Sequence, residues 1–288
     1  MKLISKRRAG LFVLGGTILA GLLSLELIRL RRGEELPLPN AYNDFVRAGE
    51  MVVGKTGDLD YKDAAKVAAF AVENSAVLIQ VRNGLEKSCL VPVELKADWM
   101  ARHVKEIMAL RQAGNALDVL AKEREAAGAI DEAVNIRLDV MRMGIESRRG
   151  GALIDYLVGT GTELGAIESL ARMIPRLNST QARHALETLK GLPEAGASLS
   201  DAKRWERRWV WLGSGWWRNW EGIREMFDHL FEDTSDASPF SPTERQRDFF
   251  AARCKLVLAL ARREFELEQD RAPANDTELV PHYLLRLP

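Results

Sequence analysis

The sequence predicts an all-α protein in which an N-terminal transmembrane helix is followed by a helical-hairpin or irregular solenoid-like domain. Apolar residues recur at spacings of three and four, rather than two, along most of the chain. The segment of residues 9–28 is apolar and long enough to cross a bilayer. The segment near 115–145 has the pattern of two antiparallel helices joined by a short turn. Together these three observations indicate the class.

The charge balance of the chain argues against one class of partner. Its 288 residues include 41 basic and 41 acidic side chains, so the formal net charge is zero. Nucleic-acid-binding domains usually carry a basic face or a basic excess, and the sequence therefore predicts no nucleic-acid partner. The two cysteines, Cys89 and Cys254, lie far apart and are compatible with two buried thiols or with one disulfide.

The N-terminal apolar segment predicts attachment to a membrane. Residues 9–28 contain one charged residue, Glu26, and follow a basic tail at residues 1–8. Twenty helical residues span about 30 Å, the thickness of the bilayer core. A cleavable signal peptide is the alternative, but the segment is long and shows no convincing small-x-small cleavage site. We expect a retained, single-pass anchor in the lipid bilayer.

The orientation of this anchor follows less directly from the sequence. Both flanks of residues 9–28 are basic, so the rule that places basic residues on the cytoplasmic side is nearly balanced. We expect the short basic tail inside and the large domain on the extracytoplasmic side.

After the anchor, the chain divides into a linker, a helical domain and a C-terminal helical region. The linker, residues 29–40, contains Pro37 and Pro39, which favour an extended spacer. The helical domain covers residues 41–190, and the C-terminal region covers residues 191–288. The predicted helices are 41–53, 60–87, 95–127 with a possible break at Gly114, 130–145, 151–174, 178–190, 201–212, 216–231 and 242–269.

The segment 120–144 resembles a tetratricopeptide hairpin. It contains a helix, a turn at Ala127 and Gly128, and a second helix that opens with Asp131. Small residues at the crossing allow two antiparallel helices to approach closely, as in that repeat. One copy of the unit is legible, whereas about three are needed for a self-stable array. The sequence thus predicts a relative of helical solenoids rather than a regular repeat.

Four blocks of the sequence, taken in order, resemble a wider family. They are "CLVP" at 89–92, the hairpin at 120–144, "RRGGALIDYLVG" at 148–159 and the tail "FELEQDRAPANDTELVPHYL" at 265–284. Together they are similar to uncharacterised membrane-anchored helical proteins of planctomycete-type bacteria. In that family the tail begins with Tyr and has Gly where this chain has Phe265 and Asp270. The resemblance implies an anchor and a helical domain, and it brings no activity and no catalytic residues.

The segment "GEMVVGKT" at 49–56 fits the letters of a phosphate-binding loop. The residues of that pattern are Gly49, Gly54, Lys55 and Thr56. A working loop needs an apolar strand before it and a helix starting at its Lys-Thr pair. The preceding residues have helical spacing, and Gly57 and Asp58 delay the next helix. We therefore interpret the segment as a helix end followed by a turn, with a nucleotide site as the minor alternative.

The tryptophan-rich segment "WERRWVWLGSGWWRNW" at 205–220 is a candidate interaction surface. Its main stripe would pack in the core of the C-terminal region, whereas Trp211 and Trp217 lie off that stripe. Trp211, Trp217 and Arg218 are therefore the residues that we expect at a surface for a partner. We favour packing of the cluster in the core or between helices, with the partner surface as the alternative.

Metal and acid–base motifs are weak in this sequence. The four histidines are scattered, and His103 with Glu106 reads as a polar surface pair. Glu264 and Glu268 read as salt-bridge partners on a solvated helix face beside Arg262 and Arg263. The sequence predicts no catalytic residue, no metal site and no cofactor.

These observations favour a membrane-anchored interaction or scaffold protein of the cell envelope that binds a protein partner. One alternative is a nucleotide hydrolase that uses Lys55 and Thr56. Another is a pseudopilin-like secretion component, which requires removal of a short leader that this N-terminus does not resemble.

Overall fold

The structure is a computed structural model that describes residues 35–94, 96, 98–193, 199–212 and 242–287. Within these residues it contains nine α-helices and no strand. The prediction of an all-α class is confirmed. The helices are α1 (Ala41–Glu50), α2 (Ala64–Glu73), α3 (Ser75–Leu85), α4 (Trp99–Ala126), α5 (Ile130–Glu146), α6 (Leu153–Met173), α7 (Ser179–Gly191), α8 (Leu199–Leu212) and α9 (Pro242–Gln269).

Polar side chains fix the starts of several helices. The side chain of Asn40 accepts a hydrogen bond from the backbone N–H of Tyr42 and so caps α1. Asp63 caps α2 in the same way. Asn178 and Gln181 form a reciprocal capping box at the start of α7. Each cap satisfies N–H groups that have no partner inside the helix.

The predicted helix 60–87 is wrong in one respect, because the chain bends by 50° between α2 and α3. Asn74 lies at the bend and is almost fully buried. Its side-chain oxygen accepts from the N–H of Val53 at 2.8 Å, and its amide donates to the carbonyls of Val53 and Phe70. The side chain of Asn74 thus holds the loop that precedes α2 against the bend.

The predicted hairpin is present as α4 and α5. Gly128 has a φ of +78°, the left-handed conformation that favours glycine at a helix end. Gly114 does not break α4. The next crossing, between α5 and α6, is close. A Cβ atom on Gly144 would lie 2.6 Å from the carbonyl oxygen of Gly159, so the two backbones touch there.

The three longest helices between residues 41 and 190 are α4, α5 and α6, and they form a layered unit. α4 and α6 both pack against α5 and also contact each other. Contacts between α4 and α6 follow the same order along both helices, from His103 with Asp155 to Asp118 with Ser169. The two helices therefore run parallel, with α5 antiparallel to both. α1, α2 and α3 pack on one side of this unit, and α7 and α9 pack on the other.

The C-terminal segment folds back on α7 and α9. Phe265 and Tyr283 pack edge to face, and the hydroxyl of Tyr283 donates to Glu268 at 2.8 Å. The prediction that Glu264 lies on a solvated face is wrong: it is buried, and it pairs with Arg183 of α7 at 2.6 Å. Its true partner is distant in sequence, so the local pattern did not reveal it.

The structure also bears on the cysteines and on the predicted anchor. Cys89 is buried, Cys254 is half-buried, and both are free thiols. The predicted anchor at residues 9–28 lies outside the described residues. Within the described ranges no single helix is both long and apolar enough to cross a bilayer, although the bent pair α2–α3 reaches that apolar content when taken together.

Candidate functional site

The segment 49–56 serves a helix crossing and a turn. Gly49 lies within α1, and a Cβ atom there would stand 1.8 Å from the carbonyl oxygen of Ala109 on α4. Gly54 has a φ of +82°. Lys55 is extended, and Thr56 opens a 3-10 turn of three residues. The Lys-Thr pair is thus not on the first turn of a long helix, which is where a phosphate-binding loop needs it.

The tryptophan-rich segment is described only in part. Trp211 belongs to the last turn of α8. The placement of its side chain, together with Trp217 and Arg218, lies outside the described residues. Among the tryptophans whose side chains the structure describes, Trp99, at the start of α4, is buried.

Trp99 stacks on His103 with 4.3 Å between ring centroids, and His103 is the centre of a buried polar cluster. The Nε2 atom of His103 lies 2.9 Å from Asp155 Oδ1. On its other side, Nδ1 lies 3.0 Å from Glu106 Oε2. The hydroxyl of Tyr42 donates to the same Glu106 oxygen at 3.3 Å. The expectation of a surface pair at His103 and Glu106 is therefore wrong for His103.

The electrostatics of this cluster make His103 a cation. Burial by itself lowers the pKa of His103, but the carboxylates of Asp155 and Glu106 outweigh it and raise the pKa to about 9. Burial raises the pKa of Tyr42 and of Cys89, so both remain protonated at neutral pH. Asp155 also accepts the N–H of Ala152 at 2.8 Å and so fixes the start of α6. The cluster locks the start of α4 to the start of α6, and His103 and Asp155 are closed to solvent.

A second buried charge cluster joins the turn after α5 to α6 and α9. Glu163 is fully buried, and its carboxylate lies 2.9 Å from Arg148 and 3.5 Å from Arg253. Burial raises the pKa of Glu163, and the two guanidinium groups oppose that shift. Arg253 also donates to the carbonyls of Leu192 and Pro193 just after α7. This cluster therefore secures α9 and the end of α7 to the layered unit.

An open groove lies between α4 and α6, and α5 forms its floor. Its volume is about 230 Å³. We call this surface the α4–α6 groove. Its lining residues are Gly114, Asn115, Leu117 and Asp118 from α4, Arg137 and Val140 from α5, and Gly161, Thr162, Gly165, Ala166, Glu168, Ser169 and Arg172 from α6.

Glycines leave one wall of the α4–α6 groove open. A Cβ atom on Gly161 or on Gly165 would meet no other atom within 4 Å. Both residues are exposed, so a ligand can approach the backbone of α6 closely at these two positions. Gly159, by contrast, lies at the close crossing with α5, where a Cβ atom would stand 2.5 Å from the carbonyl oxygen of Gly144.

The floor of the groove carries a buried cation. Arg137 is 3 % exposed, and its guanidinium pairs with Glu125 at 2.6 Å. It also contacts Met173 Sδ, and its Nε–H has no hydrogen-bond partner among the described residues. Burial lowers the pKa of Arg137 although Glu125 opposes the shift. The unpaired Nε–H is closed to solvent, so Arg137 contributes a guanidinium beneath the groove rather than a donor that a ligand can reach.

A hydrogen-bonded series of side chains forms the rim. Arg172 donates to Ser169 Oγ at 2.9 Å, and Ser169 donates to Asp118 at 3.0 Å. Lys122 pairs with the second carboxylate oxygen of Asp118 at 2.7 Å. Because Asp118 is already satisfied and Arg172 is exposed, the rim offers guanidinium donors to a ligand.

The α4–α6 groove has a polar and charged lining. Its lining supplies guanidinium, amide, hydroxyl and carboxylate groups, and no lining residue is a cysteine or a histidine. Across the described ranges, no group of three His, Cys, Asp or Glu side chains is placed to hold a metal ion.

Sequence reasoning missed both the His103 cluster and the groove. Asp155 is 52 residues from His103, and Arg137 reaches the groove only because α5 lies behind α4 and α6. A local signal did exist, since Trp99 and His103 share one face of a helix at a spacing of four. No protein-family model, curated protein or solved structure matches this chain.

Proposed function

We propose that this chain is a single-pass, membrane-anchored helical interaction protein of the cell envelope, and that the α4–α6 groove binds a carboxylate-bearing segment of a partner protein. The α4–α6 groove is the observation that carries this proposal. It combines a glycine-lined wall with the exposed guanidinium of Arg172 at its rim and with Arg137 beneath its floor.

The scaffold of the groove supports a binding role because it is preorganised. The His103–Asp155 pair fixes α4 and α6 at one end, and the contact of Asp118 with Ser169 fixes them further along. A groove held at two points loses little conformational freedom when a ligand enters, so more of the contact energy contributes to affinity. The predicted tetratricopeptide-like hairpin, α4–α5, supplies one wall and the floor.

A photo-crosslinking amino acid at Asn115, an exposed residue of the groove, tests this proposal in the full-length protein in its native membrane. We expect a discrete adduct whose crosslinked peptide contains Asp or Glu. The substitution Gly161→Leu should abolish the adduct, because the leucine side chain occupies the open space above the floor.

Gly191→Leu is the matched control, since Gly191 ends α7, also has open space around its Cβ position and lies outside the groove. The adduct should survive in this variant. An adduct that is equally abundant in the Gly161→Leu and Gly191→Leu proteins would argue against binding in the groove.

The anchor is tested separately. We expect the full chain to stay in the membrane fraction after alkaline extraction, and we expect protease added to intact cells to remove a tag at the C-terminus. Release by alkali would contradict the anchor at residues 9–28, and protection of the tag would contradict the extracytoplasmic orientation.

A further inference from the structure

An open pocket of about 520 Å³ lies between α7, α9 and the segment that follows α9. We call it the C-terminal pocket. The apolar part of its lining consists of Leu186, Phe265 and Tyr283, which are all buried. Its volume is within the range of small-molecule sites. It shares no lining residue with the α4–α6 groove, so it is a separate candidate site.

Carboxylates outnumber cations in the walls of the C-terminal pocket. The lining contains four glutamates, Glu187, Glu264, Glu268 and Glu278, and two permanent cations, Arg183 and Lys190. Arg271 lies outside the lining and offsets Glu278, which it approaches to 2.8 Å. The excess of negative charge that remains favours a cationic ligand.

Both cations of the lining are engaged with the protein itself. Arg183 donates to Glu264 at 2.6 Å and also pairs with Glu268. Lys190 donates to the backbone carbonyl of Tyr283 at 2.9 Å. The hydroxyl of Tyr283 donates to the second carboxylate oxygen of Glu268 at 2.8 Å, so both oxygens of Glu268 have partners.

Two other carboxylates of the pocket retain unpaired oxygen atoms. Glu187 is four residues from Arg183 and three from Lys190, the spacings at which charged side chains of a helix usually pair. Because those cations are engaged elsewhere, Glu187 has no ion pair among the described residues. Glu264 is 5 % exposed, and only its Oε1 atom has a partner in the part of the chain that the structure describes. A buried carboxylate beside a cavity, with one oxygen unpaired, is stabilised by a donor from a ligand.

We propose that the C-terminal pocket binds a small aliphatic amine in its protonated form. The ammonium group donates to Glu187 and to the unpaired oxygen of Glu264. The hydrocarbon part of the ligand packs against Leu186 and the ring of Phe265, at the apolar part of the lining. An organic ammonium ion combines the charge that the carboxylates favour with the apolar surface that this part of the pocket favours.

Calorimetric titration of the full chain in detergent micelles tests the proposal. The probe is putrescine, a linear diamine, and its uncharged counterpart is the butanediol of the same chain length. The natural protein is compared with Glu187→Gln, which removes the charge and keeps the shape of the side chain. Glu73→Gln is the matched control, since Glu73 is also an exposed glutamate of a helix and lies outside the pocket.

We expect the natural protein to bind putrescine and to show no binding of the diol. Glu187→Gln should weaken the binding of putrescine at least about fivefold through loss of a charge-assisted hydrogen bond, and Glu73→Gln should leave it unchanged. Because Glu187 is exposed, the helical circular dichroism should be the same in all three proteins.

Equal affinities of the three proteins would overturn the assignment of the amine to this pocket. Absence of binding at millimolar putrescine, or equal binding of the diol, would also overturn the proposal. Displacement of putrescine by an equal concentration of magnesium ions would do so too, because the pocket then collects cations without recognising an amine. The crosslink at Asn115 reports on the α4–α6 groove and is independent of these outcomes.

Discussion

The Nε2 atom of His103 lies 2.9 Å from Asp155 Oδ1, and neither side chain reaches solvent. This pair joins residues 52 positions apart in the sequence and sets the distance between the starts of α4 and α6. The same two helices form the walls of the α4–α6 groove, so we expect loss of the pair to alter the groove as well as the stability of the domain.

Removing one partner of the pair should destabilise the domain strongly. We expect His103→Ala to lower the free energy of unfolding by about 3–5 kcal/mol, because Asp155 is left as an uncompensated buried charge. Chemical unfolding of the full chain in detergent micelles measures this change. His184→Ala is the control, since His184 is exposed, and it should change the free energy by no more than about 0.5 kcal/mol. Equal effects of the two substitutions would contradict the role of the pair.

The stability of the domain should fall at alkaline pH. The folded protein raises the pKa of His103 from 6.5 to about 9, so the cation is favoured by folding. Its contribution is complete below about pH 6.5 and is lost as the pH rises through about 9. We expect the free energy of unfolding to drop by about 3 kcal/mol across this window.

His103→Gln is the control for this pH dependence, because glutamine has no charge to lose. Unfolding curves at pH 6 and pH 9.5 should differ much less in that variant than in the natural protein. A parallel pH dependence in both proteins would show that other groups cause it.

Two glycines of α6 should respond in opposite ways to alanine. A Cβ atom on Gly159 would lie 2.5 Å from the carbonyl oxygen of Gly144, so Gly159→Ala should destabilise by about 1–3 kcal/mol through overpacking. Gly161 has open space, so Gly161→Ala should stabilise by about 0.5–1 kcal/mol through better helix propensity. Thermal unfolding of the two variants gives the comparison. Changes of the same sign would contradict the described packing of α5 on α6.

Millimolar ATP with magnesium should not raise the thermal midpoint of the protein. Lys55 is extended and exposed, and Thr56 begins only a three-residue turn, so no long helix presents its N–H groups to a phosphate. A nucleotide-dependent rise that Lys55→Ala removes would restore the phosphate-binding interpretation of residues 49–56.

Periodicity predicted the helices well and their long-range contacts poorly. The bounds of α4, α5 and α9 lie within a few residues of the predicted segments because apolar spacing, glycine turns and caps are local signals. The bend at Asn74 was missed because its hydrogen-bond partner Val53 lies in a different loop. The sequence predicts a surface position for His103 because its neighbours in sequence do not reveal the contact with Asp155.

The same distinction between local patterns and long-range contacts applies to the candidate site. Which of the glycines at 159–165 face α5 and which face open space is set by the rotation of α6 in the fold. In the sequence, Arg137 is an ordinary charged residue of a helix. In the fold, α4 and α6 enclose it. Burial of that kind depends on tertiary packing, and one sequence does not contain it in a local pattern.

The affinity of the crosslinked partner for matched groove variants is the most direct measurement of the proposed function. Binding is measured with the full chain in nanodiscs and the purified partner segment, for the natural protein, Gly161→Leu and Gly191→Leu. We expect Gly161→Leu to weaken binding at least about tenfold, which corresponds to about 1.4 kcal/mol, and Gly191→Leu to leave it unchanged. Equal affinities of all three proteins would contradict binding in the α4–α6 groove.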